Sequence, residues 1–151
     1  MMSGEAMTDL TQTAAQSIVA AALSHARDKG LLPLAVSVLD ARGALKAFAA
    51  EDGTSLKRGE IAIGKAHGAL ALGMGSRSLM KRAAEQPSFI AAMSHIVGGS
   101  LVPVPGGVLI RDAAGKLLGA CGISGDTSDN DEAAALAGIA AAGLTADPGA
   151  S

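Results

Sequence analysis

Val108-Leu109-Ile110-Arg111, Asp112-Ala113-Ala114-Gly115 and then Leu117-Leu118-Gly119-Ala120-Cys121-Gly122-Ile123 are two short apolar runs around a polar, glycine-containing turn. That order spells a β-hairpin. Residues 34–39, the turn Asp40-Ala41-Arg42-Gly43 and the run Leu45–Ala50, stopped by Glu51-Asp52-Gly53, spell another. Strands that follow one another through tight turns build an antiparallel sheet, whereas alternating βαβ units would build a parallel one. Helical stretches surround both hairpins. Residues 9–29 open with Asp9-Leu10-Thr11-Gln12, a capping-box pattern with Asp9 as N-cap, and close at Gly30. A long helix capped by Ser55 runs to Gly73, and two shorter ones, 76–85 and 88–96, are split by Pro87. Gly98, Gly99, Pro103, Pro105, Gly106 and Gly107 break the chain into an irregular loop, and a last helix spans 130–142. The class is α+β, a sheet covered by helices.

Composition narrows the function classes. The chain has 151 residues, enough for one domain; 49% are hydrophobic, 17% charged, and the net charge is −2. Phe48 and Phe89 are the sole aromatic residues, and there are 33 Ala and 20 Gly. Without aromatic platforms or excess positive charge, nucleic-acid binding is excluded. Small side chains instead favour close approach between elements. A single cysteine, Cys121, rules out an internal disulfide and a four-cysteine zinc cage, and its strand position suits a buried, inert thiol. No secretory signal and no spanning apolar run is present, so the expected setting is cytoplasmic, without a membrane partner. Residues 1–7 read as a flexible leader, 8–145 as one domain and 146–151 as a flexible tail.

Several familiar motifs fail on inspection. Gly73-Met74-Gly75-Ser76-Arg77-Ser78 lacks the third glycine of a dinucleotide loop, and Gly115-Lys116-Leu117 lacks the hydroxyl residue of a P-loop. Gly122-Ile123-Ser124-Gly125 misses the spacing of a nucleophile elbow. Asp129-Asn130-Asp131 lacks the central glycine and distal glutamate of a calcium loop.

The glycine-rich blocks carry a resemblance. Val36-Ser37-Val38-Leu39-Asp40-Ala41-Arg42-Gly43-Ala44-Leu45, Ile63-Gly64-Lys65-Ala66 and Val102-Pro103-Val104-Pro105-Gly106-Gly107-Val108 occur in order. They are followed by Gly119-Ala120-Cys121-Gly122-Ile123-Ser124-Gly125 and Asp131-Glu132. Over residues 8–145 this resembles the GlcG/HbpS-type family, of which the C-terminal domain of PduO-type proteins is a relative. The resemblance implies an antiparallel sheet of about five strands with helices on both faces. It also implies a homo-oligomer, heme or a related tetrapyrrole as ligand, and relatives placed beside catabolic genes.

Candidate residues follow. His25 shares a helix face with Ile18 and Ala21, each residue advancing about 100°. It is read either as a heme-iron ligand or as a helix-end histidine favoured by the dipole. His67 lies beside Ile63 and Leu70, as a packed or interface histidine or as a ligand. His95, before the Gly-Pro loop, can line a cofactor pocket, and Gly106 and Gly107 can form its floor. Lys65 either pairs with Asp40 or Asp131 or acts as a catalytic amine. Asp129 and Glu132, one helical turn apart, are candidate acid–base carboxylates, with Asp129 or Ser128 otherwise a plain N-cap. Two functions remain open. One is a heme-binding protein; the other is a metal-independent isomerase, hydratase or lyase for a small oxygenated metabolite, sited between Gly106-Gly107 and residues 126–132.

Overall fold

The computed structural model describes residues 9–151; the leader expected at 1–7 lies outside the described residues. The elements run α1 (Gln12–Asp28), β1 (Ala35–Asp40), β2 (Leu45–Ala50), α2 (Arg58–Leu72), α3 (Ser76–Glu85), α4 (Pro87–Ile96), β3 (Gly107–Arg111), β4 (Leu117–Ser124), α5 (Ser128–Ala141) and β5 (Thr145–Asp147). Both hairpins form, and they share one antiparallel sheet in the order β2-β1-β4-β3-β5. β1 and β4 meet at the centre, with Val38 opposite Cys121 and Val36 opposite Ile123.

Alternation along the strands divides the core in two. Val36, Val38, Val108, Ile110, Cys121 and Ile123 face α1 and α5, where Ile18, Ala22, Ala134 and Ile139 close over them. Leu39, Leu109 and Ala120 face α2 through Ala66 and Ala69. Helices therefore cover both faces. The α2 side is thin because glycine stands where other strands carry side chains. A Cβ on Gly122 would lie 2.0 Å from the Ala62 carbonyl oxygen, and one on Gly107 would lie 2.3 Å from that of Lys65. Burial of Cys121 pushes its thiol up to about 12, so it stays protonated and inert.

Three caps differ from expectation. Asp9 bonds its neighbour's N–H at Leu10 (2.8 Å), while Thr11 Oγ1 caps α1 by accepting from Ala14 N (3.1 Å). Leu10 is buried at the core's edge, so the helix starts only after it. Ser55 accepts from Arg58 N through its backbone carbonyl, and α2 begins at Arg58 without a side-chain cap. Thr127, rather than Ser128 or Asp129, caps α5 by accepting from Asn130 N (3.2 Å).

Gly30 does end α1 as expected. Its N–H reaches the Arg27 carbonyl and Leu31 N reaches that of Ala26, a complete Schellman pattern with Gly30 at φ +67°. The last residues also join the sheet and α3. Residues 145–147 pair with β3 as β5, and Arg77 N then donates to the Pro148 carbonyl while Ala150 N donates to Ser78 Oγ. A three-residue strand followed by Pro gives almost no sequence signal of its own.

Candidate functional site

Lys65, from α2 on one face of the sheet, and Asp131, from α5 on the other, meet at the end of β4. Lys65 Nζ lies 3.2 Å from Asp131 Oδ2 and donates to the Ile123 carbonyl at 2.9 Å. Asp131 Oδ1 accepts from Asp126 N at 2.9 Å. Both side chains are almost fully buried. Burial pushes the Lys65 ammonium down and the Asp131 carboxyl up, and each partner pulls the other back toward its charged form. Of the two acids proposed for Lys65, the structure selects Asp131; Asp40 is held instead by its own turn, through Ala44 N, Arg42 N and the Arg42 guanidinium.

Gly106 and Gly107 lie beside this pair and are buried. At φ +123° Gly106 occupies backbone space that favours glycine, and an added Cβ would sit 2.8 Å from Lys65 Nζ. Gly107 N donates to Ser76 Oγ at 2.7 Å, fixing β3 to the start of α3. The glycine pair, Lys65 and Asp131 are thus brought together.

Asp129 and Glu132 stand one turn apart on α5, and a residue with no motif around it takes both. Arg77, from α3, donates through Nε to Glu132 Oε2 (3.0 Å) and through Nη2 to Asp129. Its partners lie more than fifty positions away in sequence, so no local spacing announces it. Arg58 is the other cation that sequence reading passes over: its Nη1 donates to Ser124 Oγ at 3.0 Å.

The histidines stay apart. His67 Nδ1 is 2.8 Å from the Ser100 carbonyl, which fixes that nitrogen as the donor in the neutral ring. His25 is half-buried in the last turns of α1, and its ring makes no hydrogen bond or ion pair with the described residues. His95 is exposed on α4 and lines an open groove of about 600 Å³ with Ala91, Ser94, Gly98 and Gly99. A second groove of about 430 Å³ shares Gly99 with it and is walled by Ile61, Ile63 and Val102, with Lys57 and Glu60 at its rim. Smaller hollows of about 220 Å³ and 140 Å³ lie beside Arg58 and His67. His25 lines none of these four. Among the described residues no group of three or more His, Cys, Asp or Glu could hold a metal ion, and no helix is long and apolar enough to cross a membrane.

Comparison with known proteins adds to this geometry. The profile of the family described as haem degrading protein HbpS-like matches residues 10–140. A solved PduOC:heme complex shares the fold at TM-score 0.81 and 26% identity, covering 91% of this chain and 98% of that one. HbpS does so at TM-score 0.77 and 28% identity, covering 91% and 93%. Protein ORFY of Klebsiella pneumoniae, at TM-score 0.79 and 21% identity over 95% and 97%, is alike in fold alone. No curated protein sequence matches the chain.

Proposed function

Because the chain belongs to the HbpS-like family, we propose that it binds heme, with His25 as the iron ligand and a second copy of the chain completing the site. The observation that carries this reading is the state of the His25 ring. It is half-buried, yet no described residue takes either nitrogen, so one is free to coordinate. Ala21, one turn earlier, keeps the helix surface low enough for a flat macrocycle to approach. The His25 ring therefore fits the role of an iron ligand. His25 lines none of the four hollows described, and in this reading a second copy of the chain supplies the other wall. Bound heme would supply a redox-active iron, and the chain would supply the His25 ring as its ligand.

A metal-independent enzyme built on residues 126–132 finds less support. Arg77 occupies Asp129 and Glu132, and Lys65 and Asp126 N occupy Asp131, so the carboxylates are engaged within the chain.

Hemin titration followed at the Soret band tests the proposal. The expected result is a saturable shift at low micromolar hemin that His25→Ala weakens by about tenfold or more and His95→Ala leaves unchanged. No saturable shift overturns heme binding. A loss confined to His95→Ala overturns the assignment to His25 and moves the site to the α4 groove.

A further inference from the structure

The hollow of about 220 Å³ at the end of the sheet is lined by Leu32, Pro33, Gly53, Thr54, Ser55, Arg58 and Gly125. Arg58 is its single charged lining residue. No carboxylate among the described residues lies within ion-pair distance of that guanidinium, and its one hydrogen bond goes from Nη1 to the neutral Ser124 hydroxyl. The edge carrying Nε and Nη2 remains unused, and that edge matches a carboxylate's two oxygens.

The neighbouring acids are already committed. Glu51 accepts from Leu34 N (2.8 Å) and pairs with Arg27 (3.0 Å). Asp126 accepts from Leu32 N, Thr127 N and Asn130 Nδ2. Asp131 faces Lys65. Arg58 and Lys65 lie close enough for Arg58 to add, after burial, to the depression of the Lys65 pKa. Of these two cations only Lys65 reaches a carboxylate, that of Asp131, and Arg58 is left without an ion-pair partner among the described residues.

We propose that this hollow is a binding site for a small monocarboxylate, held by the open edge of the Arg58 guanidinium and the Ser55 hydroxyl. Three features fit that class. Arg58, the hollow's one charged lining residue, has no ion-pair partner among the described residues, so a single carboxylate can supply one. The volume lies below the range of about 300–1,000 Å³ typical of drug-sized ligands, which limits the occupant to a few heavy atoms. Arg58 is also the first residue of α2, whose opening turn has no side-chain cap, so the helix end adds positive potential where the anion would sit.

The test is a titration of the ¹⁵N-labelled, heme-free protein with sodium glycolate, sodium phosphate and sodium chloride at matched ionic strength, read by amide shifts. Glycolate is expected to give saturable shifts at Gly53, Thr54, Ser55 and Gly125. Arg58→Gln should weaken them about tenfold or more, the loss of a charge-assisted pair; Arg58→Lys should weaken them less. Phosphate should produce no saturation beyond the chloride control. Absence of saturation with glycolate overturns the proposal, as does an Arg58→Gln protein that binds glycolate unchanged or phosphate that binds more tightly. If Arg58→Gln does not fold, Ser55→Ala and Arg58→Lys carry the same comparison. Heme is absent throughout, so failure here leaves the heme reading untouched.

Discussion

The buried pair between Lys65 and Asp131 gives the sharpest prediction. Asp131→Asn keeps the shape and the acceptor facing Asp126 N but removes the charge opposite an ammonium that is 2% exposed. Lys65 is left with the Ile123 carbonyl as its remaining partner. Removing one member of such a pair costs about 3–5 kcal/mol, a large share of the roughly 5–15 kcal/mol by which a domain is stable. Lys65→Met alone should cost a similar amount by stranding the carboxylate. The double variant strands no charge, so its loss of stability should fall short of the sum of the singles by about 2 kcal/mol or more. With no Trp or Tyr in the chain, urea unfolding is best followed by far-UV circular dichroism. Each single variant should lower the midpoint by about 1–3 M at unchanged slope. Additivity within about 0.5 kcal/mol, or a single variant costing less than about 1 kcal/mol, would refute the reasoning.

Gly122→Ala should cost about 3 kcal/mol or more in the same assay, because both atoms its Cβ would strike, the Ala62 carbonyl oxygen and Ala66 N, are backbone. Asp126 has its pKa lowered by hydrogen bonds from Leu32 N, Asn130 and Thr127 N, so the stability it confers is full above about 3.8 and is lost as pH falls through the lower folded value. Asp126→Asn should therefore be less stable than the parent at pH 6, with the gap narrowing as pH falls through the folded value, measured by urea midpoints; a gap independent of pH contradicts this. Cys121 should resist a thiol reagent at pH 8 until urea unfolds the chain, and rapid labelling of the native protein would count against its burial.

The hairpins were legible because their turns carry Asp and Gly at the positions a turn requires and their strands are short and apolar. Helix ends marked by Gly30, Gly73 and Pro87 were legible for the same reason: glycine and proline act on the backbone locally. What escaped depends on partners distant in sequence. β5 exists through its pairing with Leu109, Ile110 and Arg111, and Arg77 matters through carboxylates on α5. Lys65 was recognisable as a cation in an apolar helix and Asp131 as one of its possible partners, but the choice between Asp131 and Asp40 belongs to the sheet. Arg58 left no trace, since what distinguishes it is a missing counterion rather than a motif.

The two edges of the sheet limit how copies of the chain can polymerise. On one side β5 is three residues long and runs into Pro148, which has no N–H to offer a further strand. On the other, β2 presents a six-residue edge with Leu45 and Phe48 partly exposed. A second copy that joined its β2 to this one would make a self-complementary contact, with the same edge used on each partner. Extension through β5 would instead rest on three residues and a proline, so the β2 edge is the one better suited to pairing between copies.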